Sequence, residues 1–449
     1  MSKIRKHRLS PIQTIVLGYI LIIVTGAILL TLPFSTRAGI HTSFGNALFT
    51  ATSATCVTGL IVFDTCTYWS VFGQLVILAL IQIGGIGFMT LAISALTLTK
   101  QKIGLRNRYT MQEAVNASQV GGIVRMTHFI LLGTALFEGC GALLLSFKFI
   151  PQFGILKGIY YSIFHAISAF CNAGFDLMGA TSGPCTSLMS FKTDPLINFT
   201  IMALIVIGGI GFFVWADIQK NKLHFKAYTM HTKVVLITTC ALVIVPFLSL
   251  LLFERDNPEL KGLPPLQYAL AILFQTVTPR TAGFNTIDLT VLSESGIALT
   301  ILLMLIGGSP SSTAGGMKTT TFAMLFANMI TIFKQRKHVE CCKRRLTNYT
   351  LIQIISVSSM YLFLFFFSSI LVSTFDPVSM KEAMFETASA IGTVGLSLGI
   401  TSTLSGASKL ILIGLMFFGR VGGLTLLLAF HDHEKVTPSK YPVENITIG

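Results

Sequence analysis

The chain has 449 residues, 52% of them hydrophobic and only 11% charged. A soluble globular domain carries about 25% charged residues, so a soluble fold is excluded and a polytopic all-α membrane protein is indicated. The net charge of +14 would suit nucleic acid, but its distribution excludes that partner. Lys3, Arg5, Lys6 and Arg8 together with segments 100–125, 220–233, 334–345 and 435–440 hold 21 of the 32 Lys and Arg, whereas ten of the 18 acidic residues fall in the alternate loops. Cationic segments next to membrane spans stay on the cytoplasmic side, so these segments and both termini are predicted to be cytoplasmic.

In chain order the sequence reads as four cycles of one unit: 1–118, 119–228, 229–345, and 346–449 with a short C-terminal tail. In the first, Ile12 to Leu32 is an uncharged span ended by Pro33, with no small-residue cleavage site after it, so it is retained. Ser43 to Ala54 is too short to cross a hydrocarbon core of roughly 30 Å and reads as a re-entrant pore helix. It leads into the turn Val57-Thr58-Gly59-Leu60. A second span, Val71 to Leu98, carries Ile83-Gly84-Gly85-Ile86-Gly87. The second cycle repeats the order: Ile123 to Phe149, a short helix Ile159 to Phe170, the turn Asn172-Ala173-Gly174-Phe175, and a span Leu196 to Ala216 with Ile207-Gly208-Gly209-Ile210-Gly211.

The third cycle has a span Val234 to Phe253, a short helix Gln267 to Val277 and the turn Thr281-Ala282-Gly283-Phe284. Its second span alone is expected to break. After Ile297 to Ile306 comes Gly307-Gly308-Ser309-Pro310-Ser311-Ser312-Thr313-Ala314-Gly315-Gly316-Met317, which cannot stay helical, before helix resumes at Lys318 to Ile332. Irregular backbone at membrane depth is tolerated only where protein or a watery cavity covers it, so this segment is a functional pointer and is expected to be mobile. The fourth cycle has spans Leu351 to Val372 and Leu410 to Phe430, the turn Thr393-Val394-Gly395-Leu396, and Arg420 beside its own glycine pair. Eight spans and four re-entrant helices result.

The turn glycines 59, 174, 283 and 395 lie 115, 109 and 112 residues apart, a period that marks a repeat architecture. Four short helices would aim their negative dipole ends at one axis, and four glycine turns would present carbonyl oxygens there. Neutral oxygens without a ring of carboxylates suit a weakly hydrated monovalent cation, K⁺ rather than Mg²⁺ or Ca²⁺. Potassium-channel filters use such carbonyls, and the Thr-Val-Gly core at 393–395 resembles them.

The few ionisable groups inside the spans each have two readings. Glu138 pairs across helices or faces a polar cavity. His165, on a pore helix, reads as a satisfied core histidine. Glu386, read as beginning the fourth pore helix, and Arg280, before the third turn, are candidates for bracing the turns from behind. Arg420 is expected to tether carbonyls of 307–317, and Lys318 is either a second anchor or a snorkelling side chain. The eight cysteines show no metal-ligand spacing. Cys66 and Cys185 could meet outside the membrane, but small packing residues are the favoured reading.

The four turns, together with Gly-Gly-Ser-Pro-Ser-Ser-Thr-Ala-Gly-Gly-Met-Lys-Thr from Gly307, resemble the Trk/Ktr/HKT superfamily of potassium transporters over essentially the whole chain, and most of all the bacterial Ktr membrane subunit. That resemblance implies a selectivity filter at Gly59, Gly174, Gly283 and Gly395 and a gate at 307–317 with Arg420. It implies a plasma-membrane homodimer, each subunit with its own pore, and a cytosolic ring of nucleotide-binding regulatory subunits that controls K⁺ uptake, with Na⁺ as an activator. Some relatives have Ser at the first filter position and conduct Na⁺, so Gly59 favours K⁺. An alternating-access, sodium-coupled solute symporter is the alternative, and no nucleophile, metal or phosphate constellation suggests an enzyme.

Overall fold

The computed structural model describes residues 10–87, 90, 123–222, 224–336, 338–342 and 344–423. The basic N-terminus, the loop containing the 118/119 boundary and the C-terminal tail lie outside them. Each repeat opens with a long helix: Pro11–Thr31, Ile123–Phe153, Met230–Phe253 and Asn348–Phe375. These four are long and apolar enough to cross a membrane. Their outward faces expose Leu21, Leu132, Phe147, Leu252 and Phe363, as lipid-facing positions should. The first begins with a capping box between Ser10 and Gln13 and ends where Pro33 disfavours helix at the residue before it.

A short pore helix follows in each repeat, at Phe44–Thr55, Ile155–Phe170, Pro265–Val277 and Met380–Gly392. The fourth starts earlier than the sequence suggested, because Ser379 and Glu382 form a capping box. Glu386 therefore lies in mid-helix and not at its start.

The inner helices correct a larger expectation. The second is broken as well as the third, and the described helical segments of the first and fourth end at glycines. The first regular segment, Val71–Ile86, ends at Gly87 with φ 88°. The second breaks between Pro195–Gly209 and Phe212–Asn221 with a bend of 94°, at Gly211 with φ 97°. The fourth, Gly406–Val421, ends at Gly422 with φ 90°. Only glycine takes such angles without a steric penalty. The third repeat differs in degree: Glu294–Leu305 and Thr319–Phe333 are separated by a loop. The expected continuations to Leu98 and Phe430 fall largely or wholly outside the described residues.

Small residues set how the helices meet, since lipid supplies no hydrophobic drive between them. A β-carbon on Gly84, Gly208 or Gly419 would lie under 3.0 Å from the carbonyl oxygen of Thr55, Phe170 or Ile391, respectively. Three of the four inner helices thus rest a glycine on the C-terminal end of their own pore helix. The same logic one layer out seats Leu80 on Gly26 and Leu204 on Gly141. Cys66 and Cys185 are unbonded, and Cys66 instead contacts the Tyr161 hydroxyl at 3.4 Å.

Gly208→Ala is expected to destabilise the detergent-solubilised protein by about 1–3 kcal/mol, the usual cost of overpacking. Gly139→Ala, where nothing lies within 4 Å, serves as the neutral control. Equal thermal unfolding of the two variants would contradict this packing role.

Candidate functional site

At each pore-helix end the chain turns back through three residues of one geometry. Two positions before the turn glycine, Val57, Asn172, Thr281 and Thr393 all have positive φ, between 51° and 63°. The glycines follow at 94°, 70°, 78° and 93°. A left-handed residue beside right-handed neighbours flips the peptide plane, so successive carbonyls face one side, as a carbonyl-lined filter requires. Three of the four left-handed residues are β-branched, which makes them strained outliers costing on the order of 1–3 kcal/mol each. The surroundings hold them there. Thr58 N donates to Ser53 O at 2.8 Å, Ala173 N to Ser168 O at 2.7 Å, Ala282 N to Thr278 O at 3.0 Å and Val394 N to Ser389 O at 2.8 Å.

Hydroxyls on those same residues finish the fastening. The Gly59 and Gly395 N–H groups donate to Ser53 and Ser389 Oγ at 3.1 and 3.0 Å. Ser168 and Thr278 hydroxyls donate to the Phe175 and Phe284 carbonyls at 2.7 and 2.6 Å. Sequence reasoning missed these residues, although a signal was present: a serine six residues before the glycine in three repeats, and Thr278 one residue later in the other. The side chains of Leu60, Phe175, Phe284 and Leu396 are buried away from the turn.

The four turns form a closed ring. A β-carbon on Gly59 would lie under 3.0 Å from Ala173 O, one on Gly174 from Ala282 O, one on Gly283 from Val394 O, and one on Gly395 from Thr58 O. The contacts run from repeat one to two, three, four and back to one. No side chain fits at those glycines, and the four preceding carbonyls meet about one axis.

Beneath this ring lies the third-repeat loop. Ile306 and Met317 form a parallel bridge, and Gly307 N donates to Met317 O at 2.8 Å. The loop then reaches the second and fourth repeats at their glycine pairs, and Arg420 ties it to the first. Ser309 N and Thr313 N donate to Gly209 O and Gly208 O at 3.0 and 3.3 Å, and Gly316 N to Gly419 O at 3.0 Å. Arg420 donates to Thr313 O and to the Gly84 and Gly85 carbonyls of the first repeat. Lys318 Nζ donates to Ala314 O at 2.8 Å, so it is turned inward onto the loop and does not snorkel. A β-carbon on Gly315 would collide with the Thr393 side chain, which places the loop directly under the fourth turn. The loop expected to be mobile is therefore tied to its surroundings by hydrogen bonds. Gly308, Ser309, Thr313 and Ala314 are buried, and the backbone groups freed by the break are bonded to protein.

The remaining ionisable groups brace the ring, but not as pairs. Glu386 accepts from Ser397 Oγ at 3.2 Å and from the Thr401 hydroxyl, which clips the fourth pore helix to the segment leaving its turn. At the same offset in the second repeat, His165 Nδ1 bonds Tyr161 O at 2.7 Å while its Nε2 accepts from Leu177 N at 3.3 Å. His165 is thus a satisfied core histidine that also braces the segment leaving its turn. Arg280 makes its side-chain bond to Thr239, at 3.4 Å, and none to Glu386. Glu138 accepts from Gln82 at 3.0 Å across the first and second repeats. Outside the ring, Asp176 follows the second turn. Burial pushes its carboxyl up to about 7, against the lowering effect of the Met178 N–H and reinforced by nearby Asp64.

Fold and site together define a polytopic membrane protein in which one chain folds four helix–pore loop–helix repeats around a carbonyl-lined pore. The TrkH family, described as cation transport protein, matches residues 7–439, and the chain belongs to that family. It is a transporter and not an enzyme. It is 39% identical to the potassium/sodium uptake protein NtpJ of Enterococcus hirae, over 100% of this chain and 99% of that one. It is 41% identical to the Ktr system potassium uptake protein B of Bacillus subtilis, over 98% and 97% of the two chains. Its fold matches the crystal structure of the potassium transporter TrkH from Vibrio parahaemolyticus with a TM-score of 0.73 at 19% identity, covering 96% of this chain and 87% of that one.

Gly59→Ser places a β-carbon against Ala173 O and a hydroxyl beside the ring. The expected outcome is a protein that still inserts but loses K⁺/Na⁺ discrimination by about tenfold or more, since ~1.4 kcal/mol of differential binding is a factor of ten. Competition uptake assays check it, and unchanged discrimination would contradict it.

Proposed function

We propose that this protein takes up K⁺ across the plasma membrane through its own four-repeat pore. Both termini are cytoplasmic, the ring at Gly59, Gly174, Gly283 and Gly395 is the selectivity filter, and residues 307–317 with Lys318 and Arg420 are the gate. The carrying observation is the closed ring of Thr58, Ala173, Ala282 and Val394 carbonyls around four glycines. Neutral carbonyl dipoles replace the shell of a weakly hydrated ion, and no carboxylate lines the ring to favour a divalent one. The names of relatives support the ion, and one of them includes Na⁺. Sodium is read here as an activator.

The gate reading rests on position and bonding. The loop lies under the filter, and its anchors to the second and fourth repeats, with Arg420 linking it to the first, make its placement an all-or-none matter. A cation such as Arg420 in an open path would repel K⁺; with its donors on three carbonyls it works as a latch. The functional unit is a homodimer that docks a cytosolic ring of nucleotide-binding regulatory subunits. A relative named as one lettered component of a Ktr system supports a separate partner. The windows 100–125, 220–233 and 334–345 hold 15 Lys and Arg against Glu113 and Glu340. Part of that charge meets anionic lipid, at roughly 1 kcal/mol per basic residue near the surface. The rest faces an acidic surface of the ring. The four pore repeats are the units of the chain, bounded at about residues 118, 228 and 345. Flux of K⁺ against Na⁺ from the purified protein in liposomes, with and without cytosolic partners, tests the reading as a whole.

Deleting Ser309 to Gly315 is expected to raise K⁺ flux on the order of tenfold, the effect of ~1.4 kcal/mol on a gating equilibrium, and to make it less dependent on partners. Arg420→Gln acts in the same direction but more weakly. A deletion variant that inserts and dimerises normally yet conducts no faster means that the loop is not the gate.

Neutralising Arg344 and Arg345 together with Lys220 and Lys222 is expected to abolish co-purification of the regulatory ring. A complex that survives the four substitutions at moderate salt rules out this docking surface.

A further inference from the structure

On the face carrying the basic loops, a cavity of about 760 Å³ is lined by Lys226, Tyr228, Thr229, His231, Lys233 and Arg344. It opens at the first turn of the helix Met230–Phe253, where Thr229 caps Thr232 N and the helix dipole favours an anion. Lys233 Nζ is already drawn over the site by its bond to Lys226 O, at 2.8 Å, and His231 contributes a buried Nε2 with no hydrogen-bond partner. Three cations and a helix N-terminus face one carboxylate, Asp217, which is committed to Thr229 N and Oγ1 at 2.9 Å each. Glu340, on the hairpin that carries Arg344, lies 3.9 Å from Arg336.

Asp217 makes this cavity more than a charge sink. It sits on the helix Phe212–Asn221, and the other end of that helix holds the loop. Phe212 N donates to Ser311 O at 2.7 Å, and a β-carbon on Gly211 would lie under 3.0 Å from Pro310 O. One short rigid helix therefore joins the cavity to residues 310–311. An anion entering at Thr229 competes with the Asp217 carboxylate for the same donors and repels it.

We propose that this cavity binds a phosphate-type oxyanion and that its occupancy loosens the grip of helix Phe212–Asn221 on the loop, raising ion flux. The proposal rests on the loop being the gate. The shared chemistry is a phosphate group, free or on a lipid. A phospholipid headgroup placed here would run its chains along the same helix, past the exposed Phe225, Ile237 and Ile244.

The test uses the full-length purified chain in three settings: phosphatidylcholine vesicles, the same vesicles with phosphatidylglycerol, and phosphatidylcholine vesicles with inorganic phosphate on the basic-loop face. Bound lipid or phosphate is read by native mass spectrometry and K⁺ flux in parallel. Wild type is expected to retain the anion and to conduct at least about fivefold faster with it, the lower end of usual coupling between sites. Lys226→Gln/Lys233→Gln/Arg344→Gln should lose both the bound anion and the stimulation, while still inserting into the vesicles. Asp217→Asn should bind the anion and show a blunted response. A response to phosphatidylglycerol only, or to phosphate also, assigns the source. Anion retention unchanged in the triple variant, or retention with no change in flux, overturns the proposal. So does a triple variant that loses only a co-purifying protein. If wild type conducts no K⁺ in any vesicle, the pore reading fails, and the mass-spectrometry arm still decides the site.

Discussion

Everything in this molecule depends on bringing four backbone segments into contact about one axis with no side chain between them. Each turn glycine lies so close to the preceding carbonyl of the next repeat that a single β-carbon would collide. That closeness brings four carbonyl dipoles together, the arrangement by which channel filters replace an ion's hydration shell. It also gives the ring its cost, since aligned oxygens repel and four residues are held in left-handed backbone. The cost is met locally, by a hydroxyl and a carbonyl on each pore helix that fasten the turn from behind.

The next layer follows from the first. Pore helices must converge for their turns to touch, so the inner helices must approach the pore-helix ends, and glycines at 84, 208 and 419 permit this. The same glycine-rich stretches end or bend regular helix, leaving carbonyls without intrahelical partners at one depth in every repeat. In the third repeat the break is long enough to become a loop, and that loop binds those freed carbonyls directly or through Arg420. Ring and loop are thus consequences of one packing requirement placed at two heights.

Much of this was legible in the sequence, because a period near 112 residues and an inner-helix glycine 24 or 25 residues after the turn in three of the four cycles are one-dimensional traces of the repeat. The short pore helices were legible from length alone, and the third-repeat loop from consecutive small residues around Pro310. The breaks in the other inner helices were not. A lone Gly87, Gly211 or Gly422 within an apolar run is ordinarily tolerated in a helix, and only the proximity of a pore-helix end reveals why it ends there. Of the bonds that hold the loop, the Arg420 tether was anticipated, but the rest were hidden. Its backbone partners lie on the second and fourth repeats, at sequence separations that no local pattern encodes, so freed backbone read as mobile although it is fastened. Glu386 was recognised as a brace, but the residues it holds, Ser397 and Thr401, became identifiable only once the segment leaving the fourth turn was placed beside its helix.

The central claim is that the four carbonyls preceding the turn glycines bind the permeating ion. Crystals grown with Rb⁺ or Tl⁺ in place of K⁺ test it most directly through anomalous scattering. The account predicts a peak on the axis within coordination distance of the Thr58, Ala173, Ala282 and Val394 oxygens, weakened in Gly59→Ser. A strong peak elsewhere in the protein with none on that axis would contradict it.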